Sequence, residues 1–277
     1  MTRKKPNSFK AMKTSHKSHS GGAIWYVVIA AVIAIAGGVF FYGNRAAEAS
    51  AVDPDTLCPR SSGPTSIAVI LIDLTDPLTE TQRLQLRENL NKEITQAEIG
   101  TLFSLGVVSD DAEKLGSQIA VCKPQSEIDA NGLIQNPTDI GRRYQQKFLL
   151  PLNSALDEMM TASEAKQSPI MESLQRLVAT TPSFLTFSGP RKLILVSDLL
   201  QNSDVLSFYR GDDWEFFRSS KHFERLAKTL DDAAVSIYAI PRPSVHKVDS
   251  AVVEDFWARY FDFEGSRPPS FERLGDL

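Results

Sequence analysis

The sequence predicts a doubly wound α/β domain, with a mostly parallel sheet and one antiparallel edge strand, preceded by one transmembrane helix. Three observations predict it. Apolar runs of strand length, at 67–72 and 193–196, each end in an acid, at Asp73 and at Ser197-Asp198. Strand-like and helix-like periodicities alternate around them, as in parallel sheets covered on both faces. The stretch 23–42 is uncharged and rich in Ile, Val and Ala.

That stretch is long enough, at about 20 residues, to span a bilayer core of about 30 Å. Trp25 and Tyr26 stand at one end and Phe40, Phe41 and Tyr42 at the other, as interfacial belts require. Arg3, Lys4, Lys5, Lys10, Lys13 and Lys17 precede it, while Glu48, Asp53 and Asp55 outnumber Arg45 after it. The positive-inside rule then places the N-terminus in the cytoplasm and the C-terminal domain in the periplasm or another extracytoplasmic space. A cleaved signal peptide is the competing reading, with small residues near 46–51, but its apolar region is usually only about 7–15 residues long. Ala30, Ala34 and Gly38 share a four-residue spacing through which two such helices could pack, so a homo-oligomer is an open expectation.

The expected organisation is a disordered basic tail at 1–22, the span at 23–42, a proline-bearing linker at 43–65 and the folded domain at 66–277. Taking the six tail cations from the 30 basic residues leaves 24 against 34 acidic ones, which excludes a nucleic-acid surface on the domain.

Within the domain, Thr79 should cap a helix over 80–97 on which Leu84, Leu86, Leu90 and Ile94 recur near helical spacing. Strands are expected at 101–108 and 118–122, close enough to form the antiparallel edge pair. A polar insertion follows, then a long helix from Thr138 or Asp139 to about Ala162, with an interruption near Pro151. Ser168-Pro169 should open a helix to about 179. A strand is expected at 192–197, a helix at 219–230, a strand at 234–240, and a last helix at 250–263 whose aromatic stripe packs on the sheet.

The motifs Asp73-Leu74-Thr75-Asp76-Pro77, Ser168-Pro169-Ile170-Met171-Glu172-Ser173-Leu174 and Leu195-Val196-Ser197-Asp198 resemble, in this order, the metal-ion-dependent adhesion site of von Willebrand factor A-like domains. The resemblance covers about 66–264 and implies a binding module that engages protein partners, as part of a membrane-associated complex in a cell envelope. It implies Asp73, Thr75, Ser168 and Asp198 as metal ligands, with Asp76 and Thr79 as further candidates. Mg²⁺ or Mn²⁺ would suit such oxygen ligands, leaving a position open for an acidic partner side chain. Pro77 stands where the family has a third hydroxyl, and Leu199 where it has Gly. The competing reading is a degenerate site in which Asp73 and Asp198 cap helices or accept from loop amides.

In that topology Cys58 and Cys122 would lie at the same end of the sheet, where an extracytoplasmic compartment permits a disulfide; otherwise they are two buried thiols. A phosphatase-like reading would make Asp73 a nucleophile, but Thr75 replaces the acid expected two positions on. No phosphate loop or nucleophile elbow appears, and His222 and His246 have no ligand spacing. A non-enzymatic module is therefore expected, with a metal-free structural subunit as the alternative.

Overall fold

The computed structural model describes residues 21–49, 51–73, 77–111, 116–132, 135–160, 167–226, 229–242 and 248–275. The basic tail, Thr75, Asp76 and His246 lie outside the described residues. The chain divides into two units, Met1–Ala49 and Ser50–Leu277.

In the first unit, α1 (Gly21–Ala49) is a single helix. Its described side chains, 25–41, are almost all exposed, from Trp25 at 71% to Phe40 at 70%. A membrane span is expected at 23–42, but among the described residues no helix is long and apolar enough to cross a membrane.

The second unit is built on a six-stranded sheet in the order β3-β2-β1-β4-β5-β6. Its strands are β1 (Ser66–Ile72), β2 (Thr101–Val107), β3 (Ile119–Cys122), β4 (Arg191–Ser197), β5 (Ala234–Ala239) and β6 (Ser270–Arg273). All neighbours are parallel except β2 and β3, so the antiparallel edge sits where the sequence places it. The order reverses between β1 and β4. Their carboxyl ends therefore flank the switch-point crevice in which open α/β sheets bind ligands.

Side-chain alternation along the strands produces two cores. Val69, Leu71, Leu193, Leu195, Val235 and Ile237 face α5 (Ile170–Thr180) and α7 (Ser250–Phe263), with Leu174, Leu177, Phe256, Trp257 and Tyr260 packed on them. Ile70, Ile72, Phe103, Ile194 and Val196 face α2 (Glu80–Gln96) and the pair α3 (Pro137–Tyr144) and α4 (Leu150–Met160). A strand buried on both faces must be apolar at every position, which explains the unbroken runs.

Local chemistry sets the helix ends. Thr79 closes a capping box with Gln82, and Asp249 caps α7 by accepting from the Ala251 amide. Between α3 and α4 a π-helical turn, Gln145–Leu149, ends just before Pro151. The expected interruption is thus a wider turn that accommodates the missing proline amide, and the helix continues.

Two expectations are corrected. Among the described residues no helix runs over 219–230; α6 (Trp214–Ser219) starts earlier, capped by Asp213, and Ser220 ends it, followed by a short 3₁₀ turn at Glu224–Leu226. The sixth strand was not anticipated, because all four of its residues are exposed and carry no apolar run.

Cys58 and Cys122 form a disulfide with Cα atoms 4.8 Å apart. Residues 51–65 are more than a tether. Asp53 Oδ1 accepts from the Asp55 and Thr56 amides, Val52 bridges Pro59, and the Cys122 amide donates to the Thr56 carbonyl.

Candidate functional site

β1 and β4 run in register with Ile72 opposite Val196, so the next residues, Asp73 and Ser197, emerge side by side. The Asp73 amide donates to the Val196 carbonyl at 2.8 Å, continuing the ladder by one rung. The Asp73 side chain is buried, at 2% exposure. Its Oδ2 accepts from Ser168 Oγ at 2.9 Å and from Ser197 Oγ at 2.8 Å. Ser197 Oγ in turn accepts from the Leu199 amide.

Ser168 reaches Asp73 because its backbone is held. It exchanges two hydrogen bonds with Asn202, at 2.8 and 2.9 Å, in an isolated antiparallel bridge. The sequence suggested Ser168 as a helix cap; its hydroxyl instead serves Asp73. The cap of α5 comes from another loop, where buried Gln201 accepts from the Met171 amide through Oε1 and donates to Glu172 through Nε2.

Asp198 turns to the other side of the β4 end. Its Oδ1 accepts from the Leu200 amide at 2.9 Å, as an Asx turn would. Its Oδ2 lies 3.5 Å from Arg242 Nε, an ion-pair distance, with the two side chains only 6% and 12% exposed. Arg242 follows β5 and also donates from Nη1 to the Pro77 carbonyl at 3.1 Å. One guanidinium thus joins the loops after β1, β4 and β5. Pro77, which brings no side-chain ligand, contributes its carbonyl.

Leu199 adopts a left-handed conformation with φ of 66°, where glycine would carry no penalty. The buried Trp257 indole donates to the Leu199 carbonyl at 2.8 Å and holds the turn. Next to Arg242 a cavity of about 300 Å³ is lined in part by Asp198, Leu200, Val253, Glu254 and Arg273.

Asp73, Ser168 and Ser197 are therefore brought together, and Asp198 meets Arg242. Thr75 and Asp76 lie outside the described residues. The Thr79 hydroxyl accepts from the Gln82 amide, so it is committed to its helix. Ser197, Gln201 and Arg242 escaped the sequence reading of the site. Ser197 is adjacent to a named acid, and Arg242 sits just past a predicted strand, so the strand-end argument applied to every strand would have reached both.

Oxygen donors of Asp73, Ser168 and Asp198 suit a hard cation in kind. Their charge balance does not. Asp198 already faces the Arg242 guanidinium at 3.5 Å, and that positive charge would repel a divalent ion brought to the same carboxylate. Among the described residues no group of three or more His, Cys, Asp or Glu is arranged to hold a metal ion.

No protein-family model matches the chain, and no curated protein matches it. Among solved structures it is similar to an aerotolerance-related membrane protein from Bacteroides fragilis NCTC 9343 carrying multiple mutations to serines. The identity is 12%, covering 76% of this chain and 92% of that one, with a TM-score of 0.35. So loose a likeness carries no argument about function.

Proposed function

We propose that this chain is a von Willebrand factor A-like, non-enzymatic binding or assembly module, anchored in a membrane by α1 and displayed outside the cytoplasm, where it engages a protein partner through the crevice between β1 and β4. The observation that carries the reading is the strand-end cluster Asp73, Ser168, Ser197, Asp198 and Arg242, set at the topological switch point of the sheet. The reading of α1 as an anchor draws on its uncharged stretch 25–41, whose Ile, Val and aromatic side chains are exposed. Against a hydrolase stands the burial of Asp73, whose Oδ2 already receives two hydroxyl hydrogens; an attacking carboxylate needs access to its substrate.

Two measurements on the full chain in native membranes test this. Alkaline carbonate should leave the protein in the membrane fraction, and its release would remove the anchor. A photo-crosslinker placed at Pro77, on the crest of the crevice, should give a discrete protein adduct that the same crosslinker at Gln118, by the antiparallel edge, does not. Equal adducts at both positions would sink the crevice as partner site. Turnover of a generic phosphate ester abolished by Asp73→Asn would replace the module with an enzyme.

A metal-dependent version of the same function would draw on the oxygen donors of Asp73, Ser168 and Asp198. Calorimetric titration of the purified chain with Mg²⁺ and Mn²⁺ decides between the two versions.

A further inference from the structure

We infer that Arg242 takes the place of the divalent cation: its guanidinium is a built-in positive charge that locks the crevice in one arrangement without any metal. The inference rests on the reading of the crevice as a von Willebrand factor A-like site, and it makes Arg242 a positioning residue within it.

An ion at such a site has two tasks, to neutralise strand-end carboxylates and to tie together the loops that carry them. Arg242 does both from within the chain. Its Nε stands 3.5 Å from Asp198 Oδ2, and its Nη1 donates to the Pro77 carbonyl at 3.1 Å. It thereby links the turn after β4 to the loop that follows Asp73. Both members of the ion pair are largely buried, so water screens the pair weakly. The geometry around the acid is fixed as well. Asp198 Oδ1 is held by the Leu200 amide, and Trp257 fixes the Leu199 carbonyl between them.

One departure from the family motif, Pro77, is compatible with this arrangement: a guanidinium needs no side-chain hydroxyl there, only an acceptor, and the Pro77 carbonyl supplies it. The flat fork of an arginine can serve a carboxylate and a carbonyl at once, which a lysine ammonium does with less geometric control.

The test is Mn²⁺ binding to the detergent-purified full chain, read by calorimetry and by loss of the free-ion paramagnetic resonance signal. The wild type should take up no Mn²⁺ at millimolar concentration, and its melting temperature should be the same in Mn²⁺ and in a chelator. Arg242→Ser should bind one equivalent of Mn²⁺, and Arg242→Ser with Asp198→Ala should lose it. Wild-type uptake of Mn²⁺ that disappears in Asp198→Ala would overturn the inference, as would a folded Arg242→Ser that binds none. If Arg242→Ser does not fold, Arg242→Lys replaces it: Lys should keep the site metal-free with a lowered melting temperature, and Asp198-dependent Mn²⁺ uptake by it would overturn the inference. Membrane extraction and crosslinking at Pro77 do not depend on these results, so a failure here leaves the proposed function to its own tests.

Discussion

Asp73 receives two hydroxyl hydrogens on one buried oxygen, so its removal strands Ser168 and Ser197 as well. Hydrogen bonds to a charged group are worth about 1.5–3 kcal/mol each, and Asp73→Ala should therefore lower unfolding stability by about 3 kcal/mol in urea titrations. Glu264 is a second buried acid. Its Oε2 accepts from the Thr229 amide and hydroxyl, and its Oε1 from Gln175, yet burial pushes its carboxyl above the ordinary value. A carboxyl raised on folding favours the folded state below its unfolded value, near 4.5, and that contribution is lost as pH rises through the folded value. Glu264→Gln should thus compare more favourably with the wild type at pH 7 than at pH 4 in thermal melts. The positions of Asp73 and Asp198 could be read because a strand end delivers its side chain to a known place, and that of Ser168 because it precedes a predicted helix. Arg242 was passed over, because an arginine between two prolines reads as surface unless the strand-end argument is extended to β5.

At the scale of elements, β2 is packed closely by α5 and by the loop before β3. A Cβ on Gly106 would stand 2.8 Å from the Gly116 carbonyl and 3.0 Å from Leu177 Cδ1. Gly106→Ala should cost about 1–3 kcal/mol by overpacking, measured by chemical denaturation. The apolar strands and α7 could be read from periodicity, since burial on two faces or on one stripe leaves a pattern. β6 could not, because a fully exposed edge strand is held by its backbone hydrogen bonds to β5. The helix expected at 219–230 failed for another reason. Phe223 and Leu226 do turn toward the core, but Ser220 ends the preceding helix and lets them arrive on a short turn.

For the whole molecule, the fold class followed from the order of elements, and the covalent tie between Cys58 and Cys122, which the family resemblance made plausible, is formed in the structure. It spans 64 residues of sequence. Loop-closure entropy for that length is worth about 4 kcal/mol, so the double variant Cys58→Ser with Cys122→Ser should lose roughly that amount in denaturant unfolding. The placement of the bridge also governs how the molecule carries load. Residues 59–121, which include β1, Asp73, α2 and β2, lie inside the covalent loop. A pull applied at the amino-terminal side and resisted beyond residue 122 travels through the sulfurs and bypasses them. The central strand and the acid at its tip are therefore spared tension for as long as the bridge stays closed, and reduction would put them directly in line.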